Sequence, residues 1–197
     1  MVTAGFLFSL SLIVAIGAQN LYVLRQGILR QYVPLVVAVC AVSDVVLICA
    51  GVALDGAAMA GRQWLLGAAR LAGAIFVFGY AAFAARRAWH PAPAHIDTWK
   101  QSASGAAVAT ACLTFTWLNP AAYLDTVVLV GTVANTTSGR QWWFAAGAAV
   151  ASLTWFVVLG FGARVLSPVF RRPGAWRALD TFTAAVMVIV GVRLLLG

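Results

Sequence analysis

A chain of 197 residues that is 63% hydrophobic and 9% charged holds more apolar surface than a soluble fold of this length can hide, and too few charges to dissolve it. The formal net charge of +8 comes from thirteen Lys and Arg against five Asp and Glu. With no soluble domain to carry them, these cations are read as signals of membrane topology and contact with anionic lipid, which excludes nucleic acid as a partner.

A hydrocarbon core of about 30 Å requires about 20 apolar residues per helix. Six runs meet that length, at 2–24, 33–58, 65–89, 105–133, 142–165 and 178–196, and predict an all-α integral membrane protein with six transmembrane helices. The first run has no Lys or Arg before Arg25 and continues past Ala18 into Gln19 and Asn20, so it is read as a retained span and not as a cleaved signal peptide. The stretch 90–104 (HPAPAHIDTWKQSAS) is the longest polar interval. It divides a single transport domain into residues 1–89 and 105–197, two units of three helices each.

Nine of the thirteen basic residues fall between spans one and two, three and four, or five and six: Arg25, Arg30, Arg86, Arg87, Lys100, Arg164, Arg171, Arg172 and Arg177. The positive-inside rule then places those three loops and the 90–104 linker in the cytoplasm and both termini outside. Arg62, Arg70, Arg140 and Arg193 are the minority on the far side. Because each unit has an odd number of spans, the second enters the membrane in the opposite sense, and a related pair of units would form an inverted repeat. AVSDVVLICAG (41–51) aligns with VASLTWFVVLG (150–160) without gaps, which sets Ser43 over Ser152 and Gly51 over Gly160.

The first helix of each unit carries an interruption. In the first it is GAQN at 17–20, where Gly17 loosens the helix; in the second it is TWLNPAAYLD at 116–125, where Pro120 removes a donor and disfavours a helical Asn119. Interrupted helices at matching places in two inverted units point to a transport site at the membrane midplane. Their half-helix N-termini favour an anionic group such as a carboxylate, while Gln19, Asn20 and Asn119 can bridge freed backbone groups or substrate.

Two acids lie deep in apolar runs, Asp44 in the second and Asp125 in the fourth. A carboxylate at that depth is costly and by default faces a cavity with a partner or a proton. Their partners are either arginines of other helices, Arg164 being the candidate, or a cationic cargo and protons. Tyr123 offers a hydroxyl close to Asp125 in sequence, and Ser152 and Trp155 of the fifth run are further substrate contacts, Trp155 through its ring face. Asp180 falls at the edge of the last run and reads as solvated. Cys40, Cys49 and Cys112 lie in apolar runs without metal-ligand spacing and read as small core residues, so neither a metal nor another cofactor is expected. Enzyme chemistry finds no support: there is no HExxH, GxSxG or GxGD motif.

The segments GAQNLYVLRQGI (17–28), CAVSDVVLI (40–48), TWLNPAAYLDTVVLVG (116–131) and AAVASLTWFVVLGFGARVLSP (148–168) together resemble the lysine exporter (LysE) family of bacterial inner-membrane amino-acid exporters, on its ArgO-like lysine/arginine branch. GAQN stands where the threonine/homoserine branch carries a Pro-Gly-Pro element, and Ala121 stands where the family often carries a larger polar residue such as His. The resemblance implies export of basic amino acids across the bacterial inner membrane by alternating access. Proton influx on Asp44 and Asp125 would drive it, and a homodimer is a possible assembly. Export of neutral amino acids or other small metabolites, and a cation-selective channel, are the alternatives.

Overall fold

The computed structural model describes residues 1–14, 17–54, 63–89, 104–119, 122–137 and 139–196, with positions 63–70, 72, 73, 171, 173 and 194 described in their backbone alone. Pro120, Ala121 and all but the last residue of the 90–104 linker lie outside these residues. The described chain is helical and contains no strand. In order it forms α1 (Val2–Ile13), α2 (Ala18–Leu29), α3 (Val33–Ala53), α4 (Gln63–Trp89), α5 (Gly105–Trp117), a π-helical segment (Tyr123–Val130), α6 (Gly131–Asn135), α7 (Gln141–Gly162) and α8 (Pro173–Leu196). Two 3-10 turns, Ala163–Leu166 and Val169–Arg171, join the last two helices.

Among the described residues, three helical stretches are individually long and apolar enough to cross a membrane: Val33–Ala53, Gln141–Leu166 and Gly174–Arg193. A fourth is added if α1 and α2 count as one span, although the two meet at 85°. The fourth apolar run is divided into the shorter helices Gly105–Trp117 and Tyr123–Asn135. The backbone therefore supports several apolar helices without establishing six uniform spans. Hydropathy alone merges helices that the backbone separates.

The first two breaks have local causes. Gly17 sits at the N-cap of α2 in an extended conformation, beyond the C-terminal turn of α1 at Val14. α5 ends at Leu118, and the Asn119 backbone closes short-range turns on each side, with its N–H donating to Thr116 O and its carbonyl accepting from Ala122 N. The chain resumes in π form from Tyr123, a geometry in which each N–H reaches five residues back and which is concentrated at functional sites. Nothing in the sequence pattern anticipates π over α there.

The helices cross-pack between the two units. α1 packs along α7, α2 also contacts α7, and α5, the π segment and α6 pack on α3, while α4 and α8 form a pair with each other. Backbones approach where side chains would obstruct. A Cβ on Gly147 would strike the Val2 carbonyl, one on Gly5 the Phe144 carbonyl, one on Gly131 the Gly51 carbonyl, and one on Gly27 the Gly160 carbonyl. Small residues permit this proximity, and in a bilayer close van der Waals contact is a principal source of helix association. Between these contacts lie three apolar clusters. The largest gathers Val23, Val36, Val37, Cys40, Cys112 and Phe156 from α2, α3, α5 and α7. Cys40 and Cys112 are core residues, whereas Cys49 is exposed on the protein surface.

Candidate functional site

A cavity of about 300 Å³ opens where the two broken helices face one another. Its walls take Gln19 and Asn20 from α2, Asp44 from α3, Asn119 from the second break, and Asp125 and Thr126 from the π segment. Gly17 lines it at the first break, and the α4 and α8 pair contributes Val77, Val190 and Arg193. Residues separated by more than a hundred positions thus meet in one space. Among the described residues no cluster suited to hold a metal ion is found.

Asp44 lies midway along α3 and is 7% exposed. Its Oδ2 accepts a hydrogen bond of 2.7 Å from Ser152 Oγ on α7, itself fully buried. Gln19 stands beside Asp44. Its Nε2 is buried and closes no hydrogen bond among the described residues. Asp125 lies in the first turn of the π segment, half-buried, and lines the same cavity. The ion pairs among the described residues involve neither carboxylate. Arg164, the candidate partner, is instead exposed beyond the end of α7 with its guanidinium 4.5 Å from the Phe161 ring centroid.

Asn20 bridges the first helix break. Breaking a helix frees backbone carbonyls that lipid cannot satisfy. Asn20 Nδ2 donates to Ile13 O at 2.8 Å, across the break, and Asn20 Oδ1 accepts from Trp155 Nε1 at 3.2 Å. The second break is closed in the same manner, with Tyr123 OH donating to Trp117 O at 2.8 Å. Tyr123 therefore directs its hydroxyl to the backbone rather than toward Asp125. Ser152 and Trp155 stand behind the cavity wall, holding Asp44 and Asn20, and do not line it. The Trp117 indole bonds Ser43 Oγ at 3.3 Å, tying the end of α5 to α3.

Asp180 corrects the sequence reading. It is 5% exposed, and its Oδ1 receives Arg25 Nη1 at 2.8 Å and Arg87 Nη2 at 2.9 Å. Hydropathy starts the last run at 178, but α8 begins at Pro173, whose fixed φ suits a first helical position. The five added residues, about one and a half turns, set Asp180 inside the helix instead of at its first turn. Arg25 also lies 5.2 Å from the Trp176 ring centroid, and Arg87 lies 4.6 Å from that of Phe83. Next to this knot Phe115 packs against Tyr22, Phe76 and Tyr80, with centroids 5.0, 5.3 and 4.8 Å away. Ion pairs and rings together join α2, α4, α5 and α8, and Phe115 also packs in one cluster with Ala18 and Val77 of the cavity wall.

Sequence reasoning missed two features of this site. The Arg25, Arg87 and Asp180 knot joins three distant positions and has no local signature. Arg193 had a weak signal, as one of the four basic residues that the sequence reading set apart from the other nine.

The family model described as LysE type translocator matches residues 10–197. A Mycobacterium tuberculosis protein named "Putative amino-acid transporter" is 47% identical over 186 residues, covering 94% of this chain and 92% of its own. The lysine exporter LysE of Corynebacterium diphtheriae is 36% identical over 223 residues, covering 98% of this chain and 97% of its own. No solved structure matches the chain. The family match over residues 10–197 and the full-length identities show that the chain belongs to the LysE-type translocator family, whose members are transporters and not enzymes.

Proposed function

We propose that the protein exports amino acids, lysine and arginine foremost, across the bacterial inner membrane, by alternating access coupled to proton influx. The observation that carries this reading is the single cavity in which Asp44 and Asp125 face polar groups from both broken helices. Its volume of about 300 Å³ sits at the lower end of the roughly 300–1,000 Å³ typical of small-ligand sites. A basic amino acid brings cations for the two carboxylates and a carboxylate for the donors opposite. Desolvating either set alone in low dielectric would cost several kcal/mol.

Energetics requires coupling. Moving a net +1 cargo outward against an inside-negative potential costs about 2.3 kcal/mol per 100 mV. Asp44 and Asp125 can each exchange a bound cation for a proton and so link the two fluxes. On this reading the Arg25, Arg87 and Asp180 knot and the Phe115 rings form a gate on the side that the positive-inside rule assigns to the cytoplasm.

The cross-packing favours an inverted repeat over six spans. The first span of each unit packs on the middle span of the other, the third spans pair with one another, and the aligned Gly51 and Gly160 each abut a glycine in the second part of the opposite unit's broken helix, Gly131 and Gly27. This interlocking points to the α4 and α8 pair moving against the remaining helices, in place of two sequence-contiguous halves.

Reconstitution in vesicles with labelled amino acids at varied pH and voltage tests the proposal. Saturable counterflow of lysine or arginine, accelerated by a proton gradient opposed to cargo movement, is the expected result. A non-saturable cation conductance without counterflow would establish a channel instead, and preferred counterflow of neutral amino acids would overturn the choice of cargo.

A further inference from the structure

Arg193 is the third charged side chain lining the cavity, and the proposed proton coupling does not use it. It belongs to the last turn of α8, is exposed, and forms no ion pair among the described residues. The walls thus present two carboxylates, Asp44 and Asp125, and one guanidinium. The charge pattern of a dibasic amino acid is the inverse, with two cations and one carboxylate. A decarboxylated diamine would match the acids but leave Arg193 without a counterion, and a neutral amino acid would leave one acid without a cation.

An arginine that served only to anchor α8 at the interface would extend to lipid headgroups. Arg193 instead lines the cavity, on the side of the membrane where the positive-inside bias disfavours arginine. Gly17 and Ala18 at the N-terminal end of α2 line the same cavity. Helix N-termini carry partial positive charge, so that end adds to the attraction of an anion. A planar guanidinium is the side chain best shaped to bind a carboxylate through two parallel hydrogen bonds.

We infer that Arg193 is a specificity-determining residue that binds the α-carboxylate of the cargo, so that the transporter selects amino acids and rejects the corresponding amines. The inference rests on the amino-acid reading above. On this assignment the cargo spans the cavity, with its carboxylate toward Arg193 and its cationic groups toward Asp44 and Asp125. Arg193 then sets which molecules enter, while the two acids set the coupling.

The test is counterflow of labelled lysine in vesicles holding the full-length protein, with unlabelled lysine, lysinamide or cadaverine as competitors. Wild-type protein is expected to favour lysine over both carboxylate-free competitors by about tenfold to a hundredfold. Arg193→Gln should raise the KM for lysine by a similar factor, leave competition by cadaverine unchanged and so erase the preference, and Arg193→Lys should restore part of it. If wild-type protein carries lysine and Arg193→Gln keeps the full preference, the Arg193 assignment fails while the amino-acid reading stands. If the wild type carries neutral amino acids but not lysine, and Arg193→Gln weakens them selectively over their amides, the choice of cargo fails and the Arg193 assignment stands. Wild-type protein that carries no amino acid overturns both.

Discussion

Asp44→Asn is expected to abolish amino-acid export from substrate-loaded cells while the protein reaches the membrane in undiminished amount. Asn keeps the size and shape of the side chain, and its carbonyl can still accept the 2.7 Å hydrogen bond from Ser152 Oγ. What it removes is the negative charge and the proton-binding site. Leaving a cation unpaired in a desolvated cavity costs about 3–5 kcal/mol, or roughly a hundredfold to several-thousandfold in occupancy. Asp125→Asn is expected to act in the same direction with a smaller loss, because Asp125 is half-buried and its remaining water softens the penalty. Export rates normalised to immunoblotted membrane protein check both, and full export by the Asp44→Asn protein would refute the role given to Asp44.

The second large effect is on stability. Asp180→Asn leaves Arg25 and Arg87 facing each other without the carboxylate that both now bind at 2.8 and 2.9 Å. Removing one partner of a buried ion pair costs about 3–5 kcal/mol, because the surviving charge cannot regain its hydration. For a chain of this length that predicts a fall in Tm of roughly 10 °C in detergent. Combining Asp180→Asn with Arg87→Gln removes one of the two cations that Asp180 binds and should recover part of the loss. A melting curve for Asp180→Asn within about 2 °C of wild type would show that the knot contributes little.

The residues legible in the sequence were those whose chemistry conflicts with lipid. Asp44, Asp125, Asn20 and Asn119 stand out because a polar group in an apolar run demands a reason, and the structure brings all four to one cavity. The interruption after Gly17 was legible for a related reason, since GAQN disturbs an otherwise uniform run. Which group each amide bonds was not legible. Asn20 donates to Ile13 O and accepts from Trp155, a pairing that spans both a local break and a distance of 135 residues. Asp180 was misread because hydropathy locates where a run becomes apolar, while a helix begins where its backbone can, at Pro173. The π segment was invisible because nothing in the residue types of Tyr123–Val130 separates π from α, although in the structure this segment packs on α3. Arg193 was counted as a topology signal, since its direction relative to the cavity depends on how the last helix meets the first.

The central claim is that the cavity between the broken helices is where cargo binds. With the three native cysteines replaced, Thr126→Cys puts a thiol on the cavity wall and Arg164→Cys puts one on the exposed surface beyond α7. The decisive measurement is the rate at which a polar maleimide labels each thiol in detergent-solubilised protein, where both faces are accessible, with and without saturating lysine. Bound cargo should slow labelling at Thr126→Cys several-fold and leave Arg164→Cys unaffected. Equal labelling of Thr126→Cys in both conditions, in protein that still transports lysine, would contradict the claim.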